Sequence, residues 1–402
     1  MRYSQLFPKT LREAPKSAIT ANHKFLVRAG FVDQLMAGSW TLLPMGWRVV
    51  GKINQIIREE MNNIGGQEML MPLLHPKEIW NQTGRWEAAD EVMYKLKDTR
   101  GKEYALSFTH EEIVMDLVKK FVHSYKDLPL AVYHFSTKFR NELRAQGGVL
   151  RGREFLMKDL YSLHVSEEDL MGYYEKVKQA YIKVFRRIGF DIYVPEASGG
   201  VFTDKHTHEF QVVADAGEDT IYIKPGTHEG FNKEVFEGRE EDYEVKRSIE
   251  VGNIFPLGVA KYAEKMGVYF TDKDGSKKPV WFGSYGIGST RVMGTAVEVR
   301  HDDRGIIWPK SIAPYDVHLV NLRAGDQEGV RVYEGLQKAG VEVLYDETDR
   351  SAGEKLADAD LIGIPVRLVV SEKTGDKVEW KERDKDRTEL LSVEEAIKRV
   401  VQ

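Results

Sequence analysis

The sequence predicts a chain of two unlike parts: strands, hairpins and long helices up to residue 312, then a smaller α/β domain from 313. Three observations carry this. The chain has 402 residues, too many for one average domain and enough for two or three. Residues 133–142 (YHFSTKFRNE) and 153–164 (REFLMKDLYSLH) read as strands, and Gly147-Gly148 interrupts the stretch between them, as in a hairpin loop. After Pro309 and Pro314 the apolar runs VHLVNL (317–322), VEVLY (341–345) and VRLVV (366–370) alternate with helical stretches, which predicts a mostly parallel sheet.

Taken in order, residues 44–66 form the first clear helix. Val49, Val50, Ile53, Ile56, Ile57, Met61 and Ile64 recur at helical spacing, and Gly65-Gly66 stops the run. EMLMP then reads as a strand ending at Pro72. A second helix spans 166–188, with Ser166 and Asp169 as a capping pair and Gly189 as terminator. Residues 231–247 are dense in charge and read as a solvated connector. Ser351-x-x-Glu354 and Ser392-x-x-Glu395 read as capping boxes opening two later helices.

Composition excludes several classes of function. Hydrophobic residues make up 42% and charged ones 30%, which is ordinary for a globular protein. No apolar run approaches a membrane span, and the first residues lack the apolar segment of a secretory signal. Cysteine is absent, so disulfides, thiol nucleophiles and cysteine zinc sites are out. Net charge is −5, and residues 311–402 hold 14 Lys and Arg against 20 Asp and Glu. A nucleic-acid partner would therefore be held by local contacts rather than by a bulk field.

Single motifs leave alternatives open. No P-loop exists, and Gly283-Ser-Tyr-Gly286-Ile-Gly288 has the wrong order for a dinucleotide fingerprint. Its glycines precede a helix with Arg291 in the first turn, which fits an anion site or a tight turn before a packed helix. Arg140 and Glu142, two apart on the first hairpin strand, would share a face. So would Arg153, Phe155, Met157, Asp159 and Tyr161 on the second. Arg suits phosphate or carboxylate and Phe offers a stacking surface, but a charged half-exposed hairpin reads the same way. Thr109-His110-Glu111 could bind an ammonium, or open a helix with Thr109 as N-cap. Asp204, His206, His208 and Glu209 match zinc spacing poorly. Asn81-Gln-Thr83 is a glycosylation sequon without a secretory signal to support it.

In order, EMLMPLLHP, SFTHEE, TKFRNE with RGREFLMKDLYSLH, HEFQVVADAGED, GSYGIGSTR and RGIIWPKSIAPYDV closely resemble the bacterial-type prolyl-tRNA synthetases, a class II aminoacyl-tRNA synthetase family. The resemblance runs through nearly the whole chain. It implies an α+β catalytic domain on a class II antiparallel sheet (1–312), then a smaller α/β anticodon-binding domain (313–402). The implied activity is ATP-dependent attachment of L-proline to its tRNA through prolyl-adenylate; the alternative is a non-charging paralogue that binds tRNA or an amino acid. It implies Arg140 and Arg291 as catalytic residues. Thr109, Glu111, Arg140, His208 and Ser284 would bind proline. Arg140, Glu142, Arg153, Phe155, Gln211 and Arg291 would bind ATP, and Arg350 and Lys355 the anticodon. Mg²⁺ is expected with ATP, zinc is not, and a cytoplasmic homodimer with Pro72 near the interface is implied.

Three departures from the family stand out. The stretch 220–247 leaves no room for the editing domain many bacterial relatives insert. Phe202-Thr-Asp-Lys-His206 replaces a glycine pair on the substrate side. Ser284 stands where Cys is frequent.

Overall fold

The computed structural model describes residues 1–200, 207–323 and 327–401. The altered loop at Phe202–His206, with Asp204, lies outside them. The chain divides into two compact units. One holds residues 1–35, 41–52 and 296–402; the other holds 36–40 and 53–295.

The long helix α1 (Pro44–Asn63) buries Val49, Val50, Ile53, Ile57 and Met61 almost completely, as its apolar spacing predicts. The expected strand at EMLMP shrinks to β1 (Gln67–Glu68), paired in parallel with Val132 and Tyr133. Pro72 has no N–H to extend the ladder, and Met69 makes the last bond, to the Tyr133 carbonyl (2.8 Å). Helix α2 (Glu111–Phe121) follows, then the hairpin β2 (Leu130–Phe139) and β3 (Glu154–His164). Strand β2 ends one residue before Arg140, so Arg140 and Glu142 are not on a strand; both lie in the loop beyond it. Helix α3 (Glu167–Ile188) starts where Ser166 Oγ accepts the Asp169 amide (3.2 Å) and stops at Gly189, whose φ of 100° favours glycine.

The rest of the larger unit adds β4 (Val194–Ala197), β5 (Thr207–Val213), β6 (Asp219–Ile223), β7 (Glu229–Asn232), β8 (Glu244–Gly258) and β9 (Trp281–Ile287). The nine strands run in the order β5-β4-β7-β6-β8-β9-β3-β2-β1, and β5 also pairs with β8. All pairings are antiparallel except β7 with β4 and β1 with β2. Residues 231–247 are thus a solvated connector only in part: 233–243 is largely exposed, but the two ends belong to the sheet. They contain parts of β7 and β8, and Phe236 stacks on Tyr222 with ring centroids 3.8 Å apart. Most of the charges lie between the two strands, at 233–242, which is why charge density hid the strands at either end. Gly283 and Gly286 also lie within β9 rather than in a turn. A Cβ on Gly283 would come 2.2 Å from the Tyr285 hydroxyl, and one on Gly286 2.6 Å from Met157 Cε.

Helix α4 (Ser289–Val299) leads to the last sheet: β10 (Val317–Asn321), α5 (Gln327–Lys338), β11 (Val343–Asp346), α6 (Ala352–Ile362), β12 (Val366–Val370), β13 (Val378–Glu382), β14 (Thr388–Leu391) and α7 (Val393–Val401). The order β11-β10-β12 is parallel, as expected, but β13 and β14 extend it antiparallel, so the sheet is mixed. Both capping boxes form: Glu354 N donates to Ser351 Oγ (3.3 Å) and Ser351 N to the Glu354 carboxylate (3.2 Å). The equivalent bonds at Ser392 and Glu395 are 3.2 and 2.9 Å. The first residues belong to this unit. The Met1 ammonium donates to the Val343 carbonyl (2.8 Å), and Tyr3 donates to Asp358 (2.9 Å).

Candidate active site

Alternation along β3 puts Phe155, Met157, Asp159 and Tyr161 on one face, with Lys158 and Leu160 on the other beneath α3. On β9, Ser284 lies opposite Tyr161 and Gly286 opposite Asp159, so both join the first face. Strand β8 bulges at Val251: Phe210 pairs with Gly252, but Gln211 pairs with Glu250. The extra residue turns Glu250 to the side of Asn253, which donates to it (2.8 Å).

A cavity of about 230 Å³ opens there, lined by Arg140, Glu142, Arg151, Glu218, Asp219, Glu250 and Arg291; a smaller one beside it adds Phe155 and Asn253. Arg291 is fixed by the Leu150 carbonyl (2.7 Å) and the Glu250 carbonyl (3.1 Å). The Arg140 guanidinium has no hydrogen bond or ion pair among the described residues and lies 5.3 Å from the Phe155 ring centre, while its backbone N–H donates to the Arg153 carbonyl (2.9 Å). Burial, then the Arg291 charge, hold its pKa below the ordinary value. Arg140 and Arg291 converge on this concave surface, and a guanidinium with no ion pair among the described residues is suited to a phosphate or carboxylate group.

The other sequence-derived residues fall as follows. Glu142 receives Arg151 Nε (2.9 Å), and Arg151 also grips Glu218 (2.7 Å). Arg153 precedes β3 and braces the loop through the Glu142 carbonyl (3.0 Å). Thr109 is not the N-cap of α2; His110 is. Thr109 instead donates to Glu111 Oε2 (2.6 Å), and Ser284 donates to Oε1 (3.0 Å). Arg85 approaches the same carboxylate (3.2 Å) and that of Glu112 (3.0 Å), whose pKa burial raises. The sequon's Thr83 spends its hydroxyl on Glu112 (2.7 Å) in the core.

Three expected residues are engaged by other groups of the protein. His208 pairs with Ile254, on the face opposite Ser284, and hydrogen-bonds the Tyr174 hydroxyl (2.7 Å). Burial lowers its pKa to about 4. Gln211 is on the cavity face but donates to Glu209 and Asp219 (both 2.9 Å). Lys355 is 1% exposed and donates to the Asn321 carbonyl (2.6 Å), so it braces the α/β domain from within. Arg350 is half-buried over the Tyr3 ring and paired with Asp346 (2.8 Å).

Sequence reasoning did not single out Glu250, Arg85 or Asp219, and named Glu209 only in a set that matches zinc spacing poorly. Burial and the neighbouring Glu250 charge push the Glu209 pKa up to about 8. Glu209 and Asp219 lie within the HEFQVVADAGED motif, but only the bulge and the long-range pairing show what these groups meet.

Comparison with known proteins agrees with this geometry. Residues 94–300 match the family described as tRNA synthetase class II core domain (G, H, P, S and T), and residues 316–402 match an anticodon binding domain. The fold and site thus define a class II aminoacyl-tRNA synthetase. Proline–tRNA ligases of Agrobacterium fabrum and Rhizobium johnstonii are each 38% identical over 440 residues, covering 100% of this chain and of theirs. The chain belongs to the proline–tRNA ligase family. The fold is shared with a Giardia lamblia prolyl-tRNA synthetase in complex with prolyl-adenylate (TM-score 0.79, 20% identity, 94% of this chain and 77% of that one). It is shared also with the Cryptosporidium parvum prolyl-tRNA synthetase complexed with L-proline and AMP (TM-score 0.77, 16% identity, 94% and 73%).

Proposed function

We propose that this chain joins L-proline to its tRNA in two steps. The observation that carries the reading is Arg140, in no ion pair among the described residues, beside Arg291 and on the same sheet face as the Glu111 carboxylate with its Thr109 and Ser284 donors. A proline carboxylate oxygen attacks the α-phosphorus of ATP, and pyrophosphate leaves. A terminal ribose hydroxyl of the tRNA then attacks the prolyl carbonyl and AMP leaves. No protein nucleophile is needed: orientation and charge stabilisation carry both steps. Arg140 bridges the proline carboxylate and α-phosphate, and Arg291 holds the outer phosphates. Phe155 flanks adenine, with Glu142 and Arg153 shaping the loop around it. Glu111, Thr109 and Ser284 receive the proline ammonium.

The carboxylates of Glu142, Glu218, Asp219 and Glu250 at the cavity fit an accompanying Mg²⁺. Such an ion would offset the charge of the phosphates. Residues 1–312 are assigned the chemistry and 313–402 the anticodon, with Arg350 the better exposed of the two candidates. Leu70 (79% exposed) and Leu74 (50%) flank Pro72 and support a homodimer; a monomer in light scattering overturns that assignment. No helix among the described residues is long and apolar enough to cross a membrane. Pyrophosphate exchange into ATP, measured with each of the twenty amino acids, tests the reading. Proline should lead clearly, and preference for another amino acid defeats it.

A further inference from the structure

The steps above leave unused a buried chain of polar groups beneath the Thr109–Glu111 segment. Lys138, two residues before Arg140, is fully buried. Its Nζ contacts the Asp159 carboxylate and lies 2.6 Å from His110 Nδ1 and 3.3 Å from His134 Nε2. A lysine ammonium only donates, so His110 Nδ1 must be the bare ring nitrogen. The ring proton is then on Nε2, which donates to the Pro72 carbonyl (2.9 Å). The His110 backbone N–H donates to the Tyr161 hydroxyl (3.2 Å). The residue between Thr109 and Glu111 is therefore held at both ring nitrogens and at its backbone.

The ligand atoms of His110, His134 and Asp159 lie within 4.8 Å of one another, a set able to hold a divalent cation. The Lys138 ammonium occupies that space, and a buried ammonium persists only where its charge and donors are matched. Tyr161 neighbours Ser284 across the ladder, so the same cluster borders both donors to the Glu111 carboxylate.

We propose that Lys138 is a positioning residue for the amino-acid site: as an internal cation it locks the His110 tautomer and sets Glu111 against Thr109 and Ser284. The proposal rests on the reading of Glu111 as the receptor of the proline ammonium. It predicts a selective loss. Disturbing the Lys138–His110 bond raises KM for proline and leaves KM for ATP alone, whereas loss of folded enzyme lowers the apparent kcat and neither KM.

Two isosteric substitutions separate the bonds of His110. His110→Asn keeps an acceptor near the Nδ1 position, facing Lys138; His110→Gln keeps a donor near the Nε2 position, facing Pro72. The wild-type enzyme is assayed first, and absence of proline-dependent exchange there defeats the site reading itself. With exchange established, KM for proline should be about tenfold higher in His110→Gln than in His110→Asn, the effect of one charge-assisted hydrogen bond, at equal KM for ATP. Equal proline KM values, the reverse order, or a parallel change in KM for ATP overturns the proposal. Lys138→Met, if it folds by circular dichroism, should reproduce the His110→Gln values; a wild-type KM for proline in that variant also overturns it.

Discussion

Ser284 and Glu111, 173 positions apart, meet through a 3.0 Å hydrogen bond from the serine hydroxyl to Oε1 of a carboxylate that is 1% exposed. Thr109 holds the other oxygen at 2.6 Å. The carboxylate is thereby presented as an acceptor of fixed orientation, which suits a secondary ammonium with two N–H donors.

Removing one of those donors should cost modestly. Ser284→Ala is expected to raise KM for proline about fivefold, the worth of one hydrogen bond of about 1 kcal/mol, without changing KM for ATP. Steady-state pyrophosphate exchange at varied proline checks this. Glu111→Gln should lose far more, because the ammonium then loses its counter-charge.

The Arg140 side chain is ion-paired with no carboxylate among the described residues, so its removal breaks no salt bridge there. Arg140→Ala should melt within a few degrees of the wild type while losing about 10²–10³ in kcat/KM, the usual effect of deleting one charge-stabilising donor. Near-normal exchange in a folded Arg140→Ala protein would remove Arg140 from the mechanism.

Glu209 supplies a pH signature. Its folded pKa, about 8, lies above that of the unfolded chain, so between those values the folded state binds the extra proton. Stability of the unliganded protein should therefore fall as pH rises from the ordinary carboxylate range towards 8. Glu209→Gln should flatten that part of the melting-temperature profile. Parallel profiles for both proteins would refute the assignment.

Gly363 ends α6 with φ of 78°, and a Cβ there would lie 2.0 Å from the Ile306 carbonyl oxygen. Backbone cannot yield as a flexible side chain does. Gly363→Ala should destabilise the protein by about 1–3 kcal/mol, the cost of a strained backbone position, and this can be read from urea unfolding.

Fidelity follows from the sheet. The segment that could house an editing domain is instead the hairpin β6–β7, whose strands belong to the main sheet. Alanine is smaller than proline and enters a pocket that admits it, and each missing methylene sacrifices only about 1–3 kcal/mol of discrimination. The enzyme should activate alanine slowly and release Ala-tRNA for proline without hydrolysing it. Enzyme-dependent deacylation of that tRNA above the spontaneous rate would contradict this.

What the sequence determined by itself was local or ordered along the chain. The start of α3 at Ser166 and its stop at Gly189, and the boxes at Ser351 and Ser392, follow from bonds reaching three or four residues. The ordered motifs placed Arg140, Phe155, Ser284 and Arg291 in one family's pattern, and the structure sets all four on or beside one face of a sheet. Tertiary structure alone decided which groups meet there. Glu250 reaches the cavity because a bulge at Val251 shifts the register by one residue, and a one-residue shift exchanges the faces of a strand. His208 falls on the opposite face by the same alternation. Lys355 reads as a surface cation, yet two backbone carbonyls draw it inward. Lys138 reads as one more charge in a hairpin, until Asp159, His110 and His134 close around it. A charge is drawn as readily in water as in a core. Only long-range packing sets the dielectric and the partners that decide what it does.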